Sequence, residues 1–124
     1  MPEPADPGFA DLGFARIDTD REGRQGLPEV VYGPGKAPHE IAAIVRRLLA
    51  RNVGPVLVTR IGAPAAAAVV AETPGASYDE PAQLLVWRPA APSMFHLCVV
   101  TAGTADGPVA KRPRWPGPPG WACT

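Results

Sequence analysis

A chain of 124 residues, 46% hydrophobic and 19% charged, is sized for one small globular core that buries roughly two-thirds of its unfolded surface. Twelve basic side chains balance twelve acidic ones, so no global field favours nucleic acid or an anionic membrane. Cys98 and Cys123 are too few for a disulfide framework or a zinc site. The opening MPEPADPGFA has neither the basic region nor the apolar core of a signal peptide, and the longest apolar run, 63–71, falls short of the ~18 residues a membrane span needs. The expectation is a cytoplasmic protein without a metal site.

Seventeen prolines crowd the start, the stretch around Pro89 and Pro92, and the end, so they mark edges of ordered structure. Residues 1–11 read as a polar lead that cannot bury enough surface to order itself. The run LGFARI, 12–17, is too short to assign to helix or strand. The segment DTDREGRQGLPE, 18–29, carries the charges and glycines of a loop or broken helix. EVVY, 29–32, is a β-branched run ended by Gly33, Pro34 and Gly35, and predicts a buried strand.

The clearest element begins at Pro38. In PHEIAAIVRRLLARN, Ile41, Ile44, Val45, Leu48 and Leu49 recur at the 3.6-residue period of a helix with one apolar side. His39, Arg46, Arg47 and Arg51 fall on the other side. Pro38 suits a first helical turn, Glu40 and the three arginines complement the helix dipole, and Asn52 with Gly54 supply the stop. VLVTR, 56–60, predicts a strand buried on both faces, and the strand, helix, strand order implies parallel pairing with EVVY. A second helix is expected over 64–71, ended by Thr73-Pro74-Gly75, and LLVWR, 84–88, as a third strand. PAAPS then reads as a linker, and HLCVVT, 96–101, as a fourth strand that opens a new unit. The division is a lead at 1–11, a three-strand, two-helix α/β domain at 12–88, a proline linker at 89–95, the start of a second α/β domain at 96–110, and a tail at 111–124.

Three segments carry candidate chemistry. GPGKAP, 33–38, lies between a strand and a helix, yet it fails the phosphate-loop pattern. Val30 stands where that pattern needs its first glycine, and Ala37 where it needs Ser or Thr after Lys36. A glycine turn feeding a helix can still hold an anion through backbone N–H groups; the other reading is a plain turn. In 18–29, Arg21 and Arg24 offer forks that fit a carboxylate or phosphate, with Asp18 to orient one of them. The competing reading, which the composition favours, is a set of mutually satisfied surface ion pairs.

TAGTAD, 101–106, follows an apolar run and places small residues where a ligand can approach the backbone at the end of a parallel strand. Asp106 would accept from a ribose hydroxyl or cap a helix. His39 and His96 have no partner at ligand spacing, and Cys98 within an apolar run reads as a small core residue, so no residue receives a catalytic assignment. The basic tail of Lys111, Arg112 and Arg114 lacks the regularly spaced aromatic residues of a nucleic-acid surface.

Taken together, 12–44, GPVLVTR at 54–60 and VVTAGTADGPVA at 99–110 resemble, in order and spacing, the opening of the nickel-pincer cofactor biosynthesis carboxylases. These form the LarB family, related to the phosphoribosylaminoimidazole carboxylases (PurE). The resemblance implies an enzyme acting on nicotinic acid adenine dinucleotide with bicarbonate or CO2. Such an enzyme carboxylates C5 of the pyridinium ring, hydrolyses the phosphoanhydride and releases AMP. It needs no bound cofactor, and the intact enzyme is expected to be a homo-oligomer.

By the same resemblance, Thr101, Ala102, Gly103, Thr104 and Asp106 match the first nucleotide-contacting turn of a PurE-like domain. Ala105 departs from the serine often found before the aspartate. Asp18, Arg21, Arg24, Gly26, Pro28, Glu29, Gly35 and Lys36 match the family's N-terminal pattern, and Asp18, Arg21, Arg24 and Lys36 stand as anion-binding candidates. The family's nucleophilic cysteine has no counterpart here, and Cys98 and Cys123 do not inherit that role. After Ala110 the chain reads KRPRWPGPPGWACT where the family continues into a helix, which reads as a truncated or frameshifted member inactive on its own. The alternative is a stand-alone module that binds a nucleotide or anion.

Overall fold

The computed structural model describes residues 8–91, 94, 100 and 102–108. Its elements in chain order are β1 (Phe9–Asp11), β2 (Arg16–Asp18), α1 (Arg21–Gln25), β3 (Val31–Tyr32), α2 (Pro38–Arg51), β4 (Val56–Thr59), α3 (Ala63–Glu72), β5 (Ser77–Asp79) and β6 (Leu84–Trp87), with one 3-10 turn at Thr104–Asp106. The domain is α/β, as the apolar periodicities require. A four-stranded sheet runs in the order β3-β4-β6-β5, and β1 and β2 form a separate hairpin.

The segment 12–17 that resisted assignment is the turn and second strand of that hairpin. Asp11 Oδ1 accepts from the Gly13 N–H at 2.8 Å, and the Leu12 N–H reaches the Ala15 carbonyl at 2.9 Å. Gly13 sits at φ +84, where a side chain would be strained, so the turn closes there without cost. Ala10 and Ile17, paired across the hairpin, point inward and join the main core. Because β1 starts at Phe9, regular structure begins within the stretch assigned to the polar lead.

Helix α2 follows its periodicity closely. Ile41, Ile44, Val45 and Leu48 are buried, Leu49 is half-buried, and His39, Arg46, Arg47 and Arg51 lie outside. Glu40 turns back so that its carboxylate accepts from the Ala37 N–H at 2.8 Å, satisfying one of the free donors at the helix start. Asn52 closes the other end by donating from its side chain to the Leu48 carbonyl at 3.0 Å. Helix α3 packs on α2, and one core joins their inner faces to Val56 and Val58 of β4 and Leu85 and Trp87 of β6.

Strands β3 and β4 are parallel, as the intervening helix demands, with Val31 opposite Val58 and Tyr32 opposite Thr59. Strand β6 runs antiparallel to β4, because the chain turns back through β5 before entering it. Strand β5 was not foreseen: SYD has no apolar run to announce it. Two strand expectations need correction. EVVY is not a buried strand but two residues of sheet edge, with Val30 and Tyr32 exposed and Val31 alone facing the core. VLVT is fully buried on one face only; Leu57 and Thr59 on the other are half-buried.

Of the stretch 96–101 expected to form a fourth strand, all but Val100 lies outside the described residues, as do the tail, His96, Cys98 and Cys123. Among the described residues no helix is long and apolar enough to cross a membrane.

Candidate functional site

The charged stretch after β2 folds into a closed set of carboxylate and guanidinium contacts. A short helix forms over Arg21–Gln25 and stops at Gly26, whose φ of +78 gives the left-handed turn that ends many helices. One helical turn places Arg24 beneath Asp20 and brings it back to Asp18. Arg24 Nη2 donates to Asp18 Oδ2 at 2.6 Å while its Nη1 donates to Asp20 Oδ2 at 3.3 Å. The hydrogen bond from Arg24 holds the Asp18 carboxyl below the ordinary aspartate range, helped by the Asp20 N–H at 3.1 Å from Asp18 Oδ1. Asp18 in turn raises the Arg24 pKa.

The fork expected to clamp an exogenous anion is thus occupied by the protein's own carboxylates. Arg21 is less committed: its Nε lies 3.8 Å from Asp18 Oδ2, and that nitrogen is buried without a hydrogen-bond partner. Two further carboxylates tie this stretch to the sheet. Glu29 Oε2 accepts from the Asp18 N–H at 2.7 Å, joining β2 to the entry of β3. Glu22 accepts from the N–H groups of Val53 and Gly54 at 3.0 and 2.9 Å, pinning α1 to the loop between α2 and β4. No local pattern reveals the Glu22 contact, since its partners lie 31 and 32 residues away.

Lys36 lies apart from this cluster; no hydrogen bond or ion pair among the described residues joins it to Asp18, Arg21 or Arg24. Its ammonium donates to the Tyr32 carbonyl at 2.7 Å, across the turn from the end of β3. The Tyr32 ring has Lys36 Nζ at 6.0 Å and the Arg60 guanidinium at 5.6 Å from its centroid, which collects two cations at the carboxyl ends of the parallel pair. Gly33 has a role that a phosphate-loop reading misses. A Cβ there would lie 2.9 Å from the Thr59 carbonyl oxygen and 3.0 Å from that of Arg60, so the glycine allows β3 to close against β4. What faces that glycine is a pair of backbone acceptor oxygens.

Of the turn assigned to nucleotide contact, Thr101 lies outside the described residues, while Ala102, Gly103, Thr104 and Asp106 are exposed. Gly103 takes φ +96 and the chain makes one 3-10 turn over Thr104–Asp106, closed by the Gly107 N–H on the Thr104 carbonyl. Among the described residues no hydrogen bond or ion pair connects this turn to the Asp18 cluster, and no group of three His, Cys, Asp or Glu side chains could hold a metal ion. His39 is exposed on α2.

The described residues therefore define a small α/β domain with a tied acidic and basic cluster. Residues 9–89, about two-thirds of the chain, match the LarB/PurE-like N-terminal domain family, and the protein belongs to that family. The match runs from the first residue of β1 to two residues beyond β6, so it covers the hairpin and the whole sheet. No curated protein sequence matches the chain.

Proposed function

We propose that this chain supplies the non-catalytic N-terminal domain of a system that carboxylates the pyridinium ring of nicotinic acid adenine dinucleotide and hydrolyses its phosphoanhydride, toward a nickel-pincer cofactor. The observation that carries the reading is the family match over 9–89, a span that contains the folded domain yet no cysteine. Covalent addition to a pyridinium ring needs a thiolate or equivalent nucleophile, with an acid or base within hydrogen-bond reach. The matched span offers one histidine, exposed on α2, and carboxylates that, Glu80 apart, accept from arginine or backbone N–H groups. Bicarbonate or CO2 and the dinucleotide are the substrates of the intact system, which we place in the cytoplasm and read as a homo-oligomer. The chain alone is inactive in this proposal. Mixing it with the dinucleotide and bicarbonate and following AMP release tests this; sustained release would overturn it.

A second reading, an anion-binding module, is favoured by two observations: Arg21 Nε, which makes no hydrogen bond, and the pair of cations flanking Tyr32. In that reading Arg21, with Asp18 and Arg24 beside it, and separately Lys36 would contact phosphate. The turn of Thr101, Ala102, Gly103, Thr104 and Asp106 would contribute backbone N–H groups. Calorimetry with nicotinic acid adenine dinucleotide and with AMP separates the readings. A saturable heat abolished by Arg21→Ala would establish the module, and the absence of heat would leave the domain a structural one.

A further inference from the structure

Arg21, Arg24 and Arg46 each lie beside a carboxylate, at 3.8, 2.6 and 3.5 Å. Among the described residues no carboxylate pairs with Lys36 or Arg60, the two cations on Tyr32. In a chain whose formal charges balance, this leaves a local excess of positive charge where β3 and β4 end. Sheets with parallel strands bind their ligands at that place, outside the carboxyl ends of the strands.

Neither cation is loose. The Arg60 guanidinium lies 5.6 Å from the Tyr32 centroid, and an arginine held against an aromatic ring has less freedom left to lose when its planar fork meets a ligand. Lys36 gives one N–H to the Tyr32 carbonyl at 2.7 Å and keeps two. The backbone of Arg60 suits a different residue: its φ of 54 lies in the left-handed region, where glycine would sit without strain. Buried Ile61, the next residue, donates its N–H to the Gln83 carbonyl at 3.1 Å and so helps to fix that conformation. An exposed arginine kept at a strained position, with no hydrogen-bond partner among the described residues, is accounted for by what it binds.

We infer that Arg60 and Lys36 hold a phosphate group beside the exposed Tyr32 ring, the Arg60 fork donating to two of its oxygens and the Lys36 ammonium donating from its remaining N–H groups. The inference rests on the anion-binding reading and relocates its site. The Asp18 carboxylate already occupies Arg24, whereas the two cations at the ends of β3 and β4 have their charge uncompensated among the described residues.

Titration of inorganic phosphate into nitrogen-15-labelled full-length chain, with ionic strength held constant by chloride, tests the inference. Saturable amide shifts are expected at Lys36, Arg60 and Ile61, and none at Arg21 or Arg24. Arg60→Ala should weaken binding by about tenfold or more. Arg60→Gly should weaken it as much while keeping a Tm no lower than the parent's, because glycine relieves the backbone. A clear fall in Tm for that variant would assign the arginine to structure and overturn the inference, as would unchanged phosphate affinity in either variant. A saturable response confined to Arg21 and Arg24 would overturn it while leaving the anion-binding reading in place. No saturable response anywhere would remove both.

Discussion

Gly33 offers a direct test of how the parallel pair is held. Replacing it with alanine puts a methyl group 2.9 Å from the Thr59 carbonyl oxygen and 3.0 Å from that of Arg60, closer than carbon and oxygen can approach without displacement. Both obstacles are backbone, so no side chain can swing aside. The pairing at risk consists of two residue pairs, Val31 with Val58 and Tyr32 with Thr59, extended by the hydrogen bond from the Gly33 N–H to the Thr59 carbonyl at 2.9 Å. Losing that bond costs about 1 kcal/mol and the forced displacement about 1–3 kcal/mol, against a gain of about 0.4–1 kcal/mol from a stiffer unfolded chain. The net expectation is about 2 kcal/mol, or a fall in Tm of roughly 8–16 °C for a domain of this size.

Thermal unfolding followed by circular dichroism measures that shift, with Gly62→Ala as the control. Gly62, the N-cap of α3, has ordinary backbone angles and its nearest neighbour is Pro64 Cδ at 4.0 Å, so its alanine variant meets no clash and should lose at most about 1 kcal/mol, the cost of a poorer cap. A Gly33→Ala protein as stable as the parent would refute the claim that this glycine exists for strand pairing.

Other substitutions separate the forces at work. Leu48→Ala removes a fully buried side chain from α2 and should cost about 2–5 kcal/mol in urea unfolding, whereas Arg47→Ala on the exposed face should lie within about 0.5 kcal/mol of the parent. Tyr78 is held in its neutral form first by burial and then by Glu80 and Asp79, so its pKa stands above 10.0. Stability from that neutral hydroxyl is complete below the unfolded pKa and is lost as pH rises through the folded one. Tyr78→Phe, which loses the 2.7 Å bond to the Ile61 carbonyl, should lower stability by about 0.5–1.5 kcal/mol at neutral pH and show a smaller decline in alkali than the parent. Asp18 has the opposite sign: its depressed pKa contributes above the unfolded value near 3.8 and is lost as pH falls through the folded one. Arg24→Ala should move the Asp18 titration, read by carboxyl carbon shifts, back toward that ordinary value.

The helices were legible because their physics is local. Ile41, Ile44, Val45 and Leu48 state one face of α2 without reference to anything else, and Pro38 and Asn52 mark its ends. The parallel pairing of β3 with β4 also follows locally, from the helix between them. What escaped the sequence depends on partners distant along the chain. Among the described residues β3 is an edge of the sheet and Tyr32 on it is exposed, which its β-branched neighbours could not disclose. Ser77–Asp79 is a strand because β6 offers it an edge, not because its composition favours one.

The site shows the same division. Arg24 sits four residues from Asp20 and six from Asp18, so their mutual satisfaction was readable from charge spacing alone. Glu22 meets Val53 and Gly54 only because the fold brings α1 beneath the end of α2. Gly33, read as a turn residue able to expose N–H groups, turned out to be constrained by the carbonyls of a strand not adjacent in sequence.

The central claim, that this chain folds as a LarB/PurE-like N-terminal domain but does not carry out the pyridine chemistry, is tested most directly by single-turnover incubation at high protein concentration. The purified chain would be mixed with nicotinic acid adenine dinucleotide and carbon-13 bicarbonate, and the products read by mass spectrometry. The account predicts unmodified dinucleotide and no AMP. A pyridinium product bearing the labelled carboxylate, formed by this chain unaided, would contradict it.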